Sequence, residues 1–376
     1  MEYFLIVVLL ALVGFQCLLF YLNIPPNAAL YKIIGRFIKA PESLRPVAMD
    51  GPYRRIQHSP QSLHQPVLLN LETSDGSGQA VHPDVVHIPG GLGQKKWPYW
   101  MVCTPYPNGD ERFENPEIFV SYDGIQWSIP DGARNPVVPS PQKSDSHHSD
   151  PDILFHDNLL WMVYRQTIRG SAGRENILYL TKSSDGRTWS VPVEILRENN
   201  GTELLSPALI HDGERFLLWT IENHRGEFQV MRRVSTDCQL WEAPEPASTS
   251  RFANERHLWH IDVIKEPGRL SAVIVSCVTN NGGGARIHYA HSLDHGFHWQ
   301  VSDFLFEQSY EFESSLQYRG TLRCLDDQSG RYQLWYSAVS AKGVSSIAYL
   351  PLFRDIDTLI PLGDPRALAV PEHTSL

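Results

Sequence analysis

The chain has 376 residues, 42% of them hydrophobic and 20% charged, an ordinary globular composition with enough apolar material for a large core in one or two domains. A formal charge of -10 argues against the basic stripe that nucleic-acid binding requires. The five cysteines are scattered and form no CxxC pair, which excludes a zinc ribbon or a thioredoxin-like centre.

In chain order, the first element is Tyr3 to Ile24, an uncharged apolar run. A bilayer crossing takes about 20 such residues. The run lacks the basic start and small-residue cleavage site of a signal peptide, so residues 1–25 are expected as a transmembrane anchor. Only Glu2 precedes it, whereas Lys32, Arg36, Lys39, Arg45, Arg54 and Arg55 follow. The positive-inside rule then places the body of the protein in the cytoplasm. Residues 26–75, rich in Pro, Ser and Gln, are expected as a juxtamembrane helix (Ala29–Ala40) and a linker.

From residue 76 to 355 the texture is all-β: short runs of Val, Ile, Leu, Tyr, Phe and Trp between Gly, Asp and Asn. Residues 356–376 are expected as a C-terminal tail. One phrase recurs every 50–60 residues: SYDGIQW (Ser121–Trp127), SSDGRTW (Ser183–Trp189), STDCQLW (Ser235–Trp241) and SLDHGFHW (Ser292–Trp299). That period suits a propeller blade. The Asp accepts backbone N–H groups in a tight turn, Gly supplies a positive φ, and Trp buries a large apolar face. Three strands can be read around each phrase. A fifth unit, GTLRCLDD–RYQLWYSAV–SSIAYLPLF, lacks the phrase. The expected fold is a five-bladed β-propeller, with a strand from Gln65–Leu71 closing the ring on the fifth blade.

In a propeller the first strand of each blade starts at the channel mouth. Aligning those strands gives one ring of His82, Asp150, Ser206, His260 and Arg319. A second ring, two positions on, holds Asp84, Asp152, Ala208, Asp262 and Thr321. Alternation puts both on one face, with Val85, Ile153, Leu209 and Val263 between blades. The ends of second strands and the loops after them add Tyr106, Asp110, Glu114 and Glu117 from blade 1, and Tyr164 and Arg165 from blade 2. Blade 3 adds Glu222, Asn223 and His224, and blade 4 adds Asn280 and Asn281. Trp259 is placed to stack on a sugar ring. Such converging polar groups are what a polar ligand site needs. His147, His148, Asp150 and Asp152 match no standard zinc spacing; a structural calcium ion in the channel is the metal reading, and no cofactor is required.

Five blades with acidic inner-strand starts and Asp-box-like turns resemble the five-bladed propeller glycosidases of the family 43 kind, a superfamily that includes arabinanases, levansucrases and invertases. The stretch is also similar to bacterial and phage propeller proteins of sialidase-like type. The resemblance implies glycoside hydrolysis by carboxylates at the mouth, with Asp84 as base, Asp150 tuning the acid, and an acid from blade 3. At that position this chain has Leu205 and Ser206, with Glu203 offset. Glu114 or Asp262 then stands in for the acid, and His82, Tyr106, Asp152, Arg165, Ser206, Trp259, His260 and Arg319 bind the substrate. The alternative is a non-catalytic propeller that binds glycan or assembles polysaccharide. A sialidase, for which Arg165, Arg319, Arg323 and Tyr318 are available, is the weaker match. The expected partners are a glycan and, through the anchor, a membrane. The resemblance favours the exocytoplasmic side, against the flanking charges.

Overall fold

The computed structural model describes residues 66–361, apart from 142–144, 171–172, 199–201, 225, 251–255, 279–281, 327–329 and 356–357. The expected anchor and juxtamembrane helix lie outside the described residues. Among those described, no helix is long and apolar enough to cross a membrane.

Five blades are present. Blade 1 comprises β2 (Ala80–Leu92), β3 (Trp97–Pro105) and β4 (Glu117–Ser121). Blade 2 comprises β5 (Ser146–His156), β6 (Leu159–Gly170), β7 (Gly173–Ser183) and β8 (Val193–Glu198). Blade 3 comprises β9 (Glu203–His211), β10 (Phe216–His224), β11 (Glu227–Ser235) and β12 (Glu245–Thr249). Blade 4 comprises β13 (His257–Glu266), β14 (Arg269–Cys277), β15 (Arg286–Ser292) and β16 (His298–Phe304). Blade 5 comprises β17 (Leu316–Asp326), β18 (Arg331–Val339) and β19 (Ser345–Asp355), joined by β1 (Val67–Leu68) and β20 (Thr358–Pro361). The inner strands β2, β5, β9, β13 and β17 each pack on the next, and β17 returns to β2.

The ring closes as the sequence suggested: Val67 pairs with Tyr349 and Leu68 with Ala348 on β19, and Leu69 N–H donates to Ile347 O at 2.9 Å. Two features were not anticipated. Blades 2, 3 and 4 carry a fourth, outer strand, and β12 pairs in parallel with β16 through Ser248–His298 and Thr249–Trp299, fusing blades 3 and 4 into one eight-stranded sheet. β20 folds back on β19, so blade 5 continues past residue 355.

Central strands are buried on both faces, so they read as near-continuous apolar runs such as LLWMVY in β6. The core divides into clusters lying between neighbouring blades. Val85, Ile153, Leu209 and Val263 fall in four different clusters, as strand alternation predicts.

The repeated phrase stitches these blades together. In the second copy Asp185 Oδ1 accepts the N–H groups of Arg187 and Thr188, both at 2.9 Å. Gly186, at φ +70°, lies flat against Trp100 of blade 1; a Cβ there would stand 1.9 Å from that indole. Gly124 sits likewise on Trp335 of blade 5, and Gly296 on Trp219 of blade 3. Each glycine thus receives a central-strand tryptophan of the preceding blade. In the third copy Cys238 takes the glycine's place at φ 59° and packs in the same cluster as Trp161 of blade 2.

Candidate active site at the channel mouth

The two predicted rings differ in what their polar atoms do. In the second ring the carboxylates bind the next blade. Asp84 Oδ2 accepts Ile153 N–H at 2.5 Å. Its Oδ1 accepts Val85 N–H at 2.7 Å, the Thr321 hydroxyl at 2.8 Å and Arg323 at 3.0 Å. Asp152 Oδ2 accepts Leu209 N–H at 3.0 Å. Blade 3 has Ala208 at this level, and Ser206 from the first ring makes its link instead, donating to Ile261 O at 2.8 Å and accepting Ile261 N–H at 3.1 Å. Asp84, Asp152 and Asp262 converge in the channel, countered by Arg319, 3.7 Å from Asp152, and by Arg323, 4.0 Å from Asp262. Burial and the neighbouring carboxylates push Asp152 well above the usual carboxyl range and Asp262 up to about 6.

The first ring lies at the mouth. Simple alternation does not describe it. β2 and β5 carry register shifts at Val81/Asp84 and Ser149/Asp152, and His82, Asp150 and Ser206 hold φ values of 57°, 50° and 51°. A non-glycine residue in this region is uncommon. Bulges of this kind re-aim side chains beside functional sites. Here they let both rings face the channel.

His82, Asp150 and His260 meet at one point. His82 Nε2 and His260 Nδ1 each lie 3.5 Å from Asp150 Oδ1. All three atoms are buried and make no hydrogen bond. Each side chain is oriented by a second contact. The Thr104 hydroxyl lies 3.5 Å from Val81 O and 3.2 Å from His82 Nδ1; when it donates to the carbonyl it accepts from Nδ1–H, the tautomer that leaves Nε2 as a lone pair. Asp150 Oδ2 is held by Arg165 at 2.8 Å and by the Ser149 hydroxyl at 3.3 Å, and Ser149 also accepts from Arg165 Nε at 3.1 Å. This turns Oδ1 toward the histidines. Burial lowers His82 to about 3 and His260 well below its ordinary value, keeping both imidazoles neutral. Burial alone would raise Asp150; Arg165 and the other cationic neighbours outweigh it and hold the carboxyl well below its usual range.

Glu114 arrives from the loop after β3, where a short 3-10 turn at Glu111–Phe113 ends on it. It stands 3.8 Å from both His82 Nδ1 and His147 Nε2. Burial and Asp150 push its carboxyl well above the usual range. Tyr318, outside the expected substrate-binding set, closes the opposite side. Its ring lies 4.5 Å from that of His260 and 5.3 Å from that of His82, and its oxygen accepts Trp259 Nε1–H at 3.0 Å. Tyr106 is half-buried and near Glu114, which together with burial raises its phenol. Arg319 bridges the two levels, 3.6 Å from Asp150 and 3.7 Å from Asp152.

The structure therefore brings His82, Glu114, Asp150, Arg165, His260 and Arg319 together at the mouth, with Trp259 and Tyr106 at its side, and sets Asp84, Asp152, Asp262 and Ser206 among the blade-to-blade links below. Glu117 points into blade 1 and accepts Ser74 N–H at 2.9 Å. Glu203 accepts from Asn223 at 2.9 Å and pairs with Arg174. Asn280 and Asn281 lie outside the described residues. Thr104 was missed as a site residue, and Tyr318 was named only for the weaker sialidase match, because each acts through a partner more than 20 residues away in sequence.

No family model matches the chain. An A type blood N-acetyl-alpha-D-galactosamine deacetylase of Flavonifractor plautii is 26% identical over 71% of this chain and 41% of that protein. The chain thus spans less than half the length of that relative. The crystal structure of an N-acetylgalactosamine deacetylase from F. plautii, in complex with blood group B trisaccharide, superposes with a TM-score of 0.67 at 19% identity, over 77% of this chain and 95% of that one. An exo-1,5-alpha-L-arabinanase from a bovine ruminal metagenomic library gives a TM-score of 0.54 at 13% identity, over 76% and 97%. A thermostable family-43 glycoside hydrolase shares the fold, with a TM-score of 0.55 at 12% identity, over 75% of this chain and 92% of that one. At these identities the likeness speaks for the fold.

Proposed function

We propose that the mouth is a metal-dependent hydrolase site that removes the acetyl group from an N-acetylated sugar of a glycan. The observation that carries this is the meeting of His82 Nε2, Asp150 Oδ1 and His260 Nδ1, three buried ligand atoms without hydrogen bonds. Zinc bonds of about 2.0–2.1 Å in tetrahedral geometry put neighbouring ligand atoms about 3.4 Å apart, and Asp150 Oδ1 lies 3.5 Å from each imidazole nitrogen, with all three atoms within 4.8 Å of one another. Two neutral imidazoles and one ionised carboxylate are also the protonation states a divalent cation needs. A divalent ion held there supplies Lewis acidity, polarising an amide carbonyl and making water nucleophilic near neutral pH.

The chain's own residues do the rest. Thr104 fixes the His82 tautomer, and Arg165 with Ser149 fixes Asp150, as outer contacts of metal ligands commonly do. Glu114 takes the proton from the attacking water and passes it to the departing amine; a carboxyl raised above its usual range suits that exchange. Tyr318, whose oxygen already accepts from Trp259, has its O–H left to hydrogen-bond the acetyl oxygen. Water oxygen bonds to the carbonyl carbon, the C–N bond breaks, and acetate and a sugar amine leave. Asp84, Asp152, Asp262 and Ser206 act as structural links.

A glycosidase is the second reading. It is favoured by the opposed shifts of Glu114 and Asp150, a pattern that assigns acid and base roles. Against it, Asp150 Oδ2 is engaged by Arg165 and Ser149, and its Oδ1 faces two imidazoles. The test is to incubate the protein with an oligosaccharide ending in N-acetylgalactosamine and to measure acetate, free sugar and bound metal. Acetate release that a chelator abolishes, with one metal per chain lost in Asp150→Asn, is the expected result. Sugar release without acetate, or metal content unchanged in the variant, would overturn the proposal in favour of glycosidic cleavage.

A further inference from the structure

Beside the mouth, blades 1 and 2 line a second cavity, open to solvent, of about 340 Å³, formed by Asn108, Gly109, Asp110, Glu111, Arg112, Asp145, Ser146, His147 and Arg169. Its walls come from the turns after β3, the start of β5 and the end of β6, all on the mouth side. It adjoins the reacting centre through one residue: His147 lines it, and His147 Nε2 is 3.8 Å from Glu114 Oε2. The volume is at the small end for ligand pockets, room for a single sugar ring.

The lining contains no apolar side chain. Its polar groups are fixed in pairs. Arg112 Nε and Nη2 donate to the two oxygens of Asp110 at 2.8 and 2.5 Å, and Arg169 forks onto Glu111. Such pairs hold donors and acceptors side by side at fixed spacing, which matches adjacent hydroxyls on a sugar. Three carboxylates face two guanidiniums, a surplus of negative charge that disfavours a sialic acid or a sugar phosphate.

We infer that this cavity is a subsite for an uncharged sugar attached to the reacting residue, so that the substrate is a neutral oligosaccharide rather than a free N-acetyl sugar. The inference rests on reading the mouth as a glycan site. The cavity supplies specificity, and its occupant holds the acetamide over the His82–Asp150–His260 point.

The test compares three probes: a neutral trisaccharide ending in N-acetylgalactosamine, the methyl glycoside of N-acetylgalactosamine, and the trisaccharide with sialic acid as its branch. Acetate release and calorimetric binding are measured for the wild-type chain, for Arg169→Ala and for Asp145→Trp, which fills the cavity. The expected result is at least a tenfold kcat/KM preference for the trisaccharide over the methyl glycoside. Both variants should cut that preference at least tenfold, chiefly through KM, and the sialylated probe should bind at least tenfold more weakly than the neutral one. Equal use of trisaccharide and methyl glycoside, or a preference that survives both variants, would refute the subsite and leave the hydrolase reading standing. If no acetate is released from either probe, the hydrolase reading fails, and calorimetry with the same probes and variants still decides the subsite.

Discussion

Replacing Gly186 by alanine tests whether the repeated turn locks neighbouring blades. Two costs are separable. At φ +70° an L-residue pays about 1–2 kcal/mol for the left-handed conformation. The new methyl would also stand 1.9 Å from Trp100 Cζ3 and 2.5 Å from Cη2. The indole has little freedom to retreat: it is 1% exposed, and its Nε1 donates to Trp97 O at 3.0 Å. Overpacking a fixed core group costs about 1–3 kcal/mol, so Gly186→Ala should lose about 2–5 kcal/mol in total. Gly76→Ala is the control, since Gly76 has φ +76° and open space around it. Urea unfolding followed by tryptophan fluorescence gives both values. If the two variants fall within about 0.5 kcal/mol of each other, the error expected between independent sites, the interlock contributes nothing and the turn only reverses the chain.

Glu117 should make stability depend on pH. Burial pushes its carboxyl from 4.5 up to about 7. Below 4.5 both folded and unfolded chains hold the proton. Between 4.5 and 7 only the unfolded chain gives it up, so stability falls as pH rises through that window, by about 3 kcal/mol at about 1.4 kcal/mol per pH unit. Glu117→Gln should remove this fall, seen as a wild-type-minus-variant stability difference that decreases by about 3 kcal/mol from pH 4.5 to 7 and is flat above; a flat difference throughout would refute it. Thr104→Val removes the acceptor that fixes the His82 tautomer and should weaken metal binding about 10–100-fold, the usual range for losing such a contact, as read by competition with a chromogenic chelator; unchanged affinity would show that Thr104 does not orient the ring.

Much of this fold can be read from the chain, because each blade announces itself with the same turn and because inter-blade residues such as Val85 and Ile153 follow strand alternation. The three converging residues His82, Asp150 and His260 are also visible as inner-strand starts. What separates them from Asp84 and Asp152 is not. Both sets are acidic or basic residues at strand starts, and the difference is whether an oxygen meets the next blade's N–H. That depends on bulges at residues 82 and 150 which ordinary side chains do not advertise, since glycine is the usual sign of a positive φ. Thr104 stayed hidden because its partner His82 lies across the hairpin on the bulged neighbouring strand of the same blade, and Tyr318, named only for the sialidase match, because its contact with Trp259 joins blade 5 to blade 4.

The parallel pairing of β12 with β16 also bears on how the molecule behaves among its own copies. A sheet that ends in an unpaired strand offers a template for another chain to extend. Blades 3 and 4 use up each other's last strand, so neither offers such a margin. On blade 1, Asn135 imitates a neighbouring strand by binding both the N–H and the C=O of Ile118, at 2.9 and 3.1 Å. The β8 margin of blade 2 is guarded differently. Val193 is 47% exposed there, but Arg197 is held between Glu175 and Glu194, and a second copy stacking on this strand would have to bury that charged cluster. The outer margins of blades 1 to 4 are thereby shielded from edge-to-edge growth into fibres.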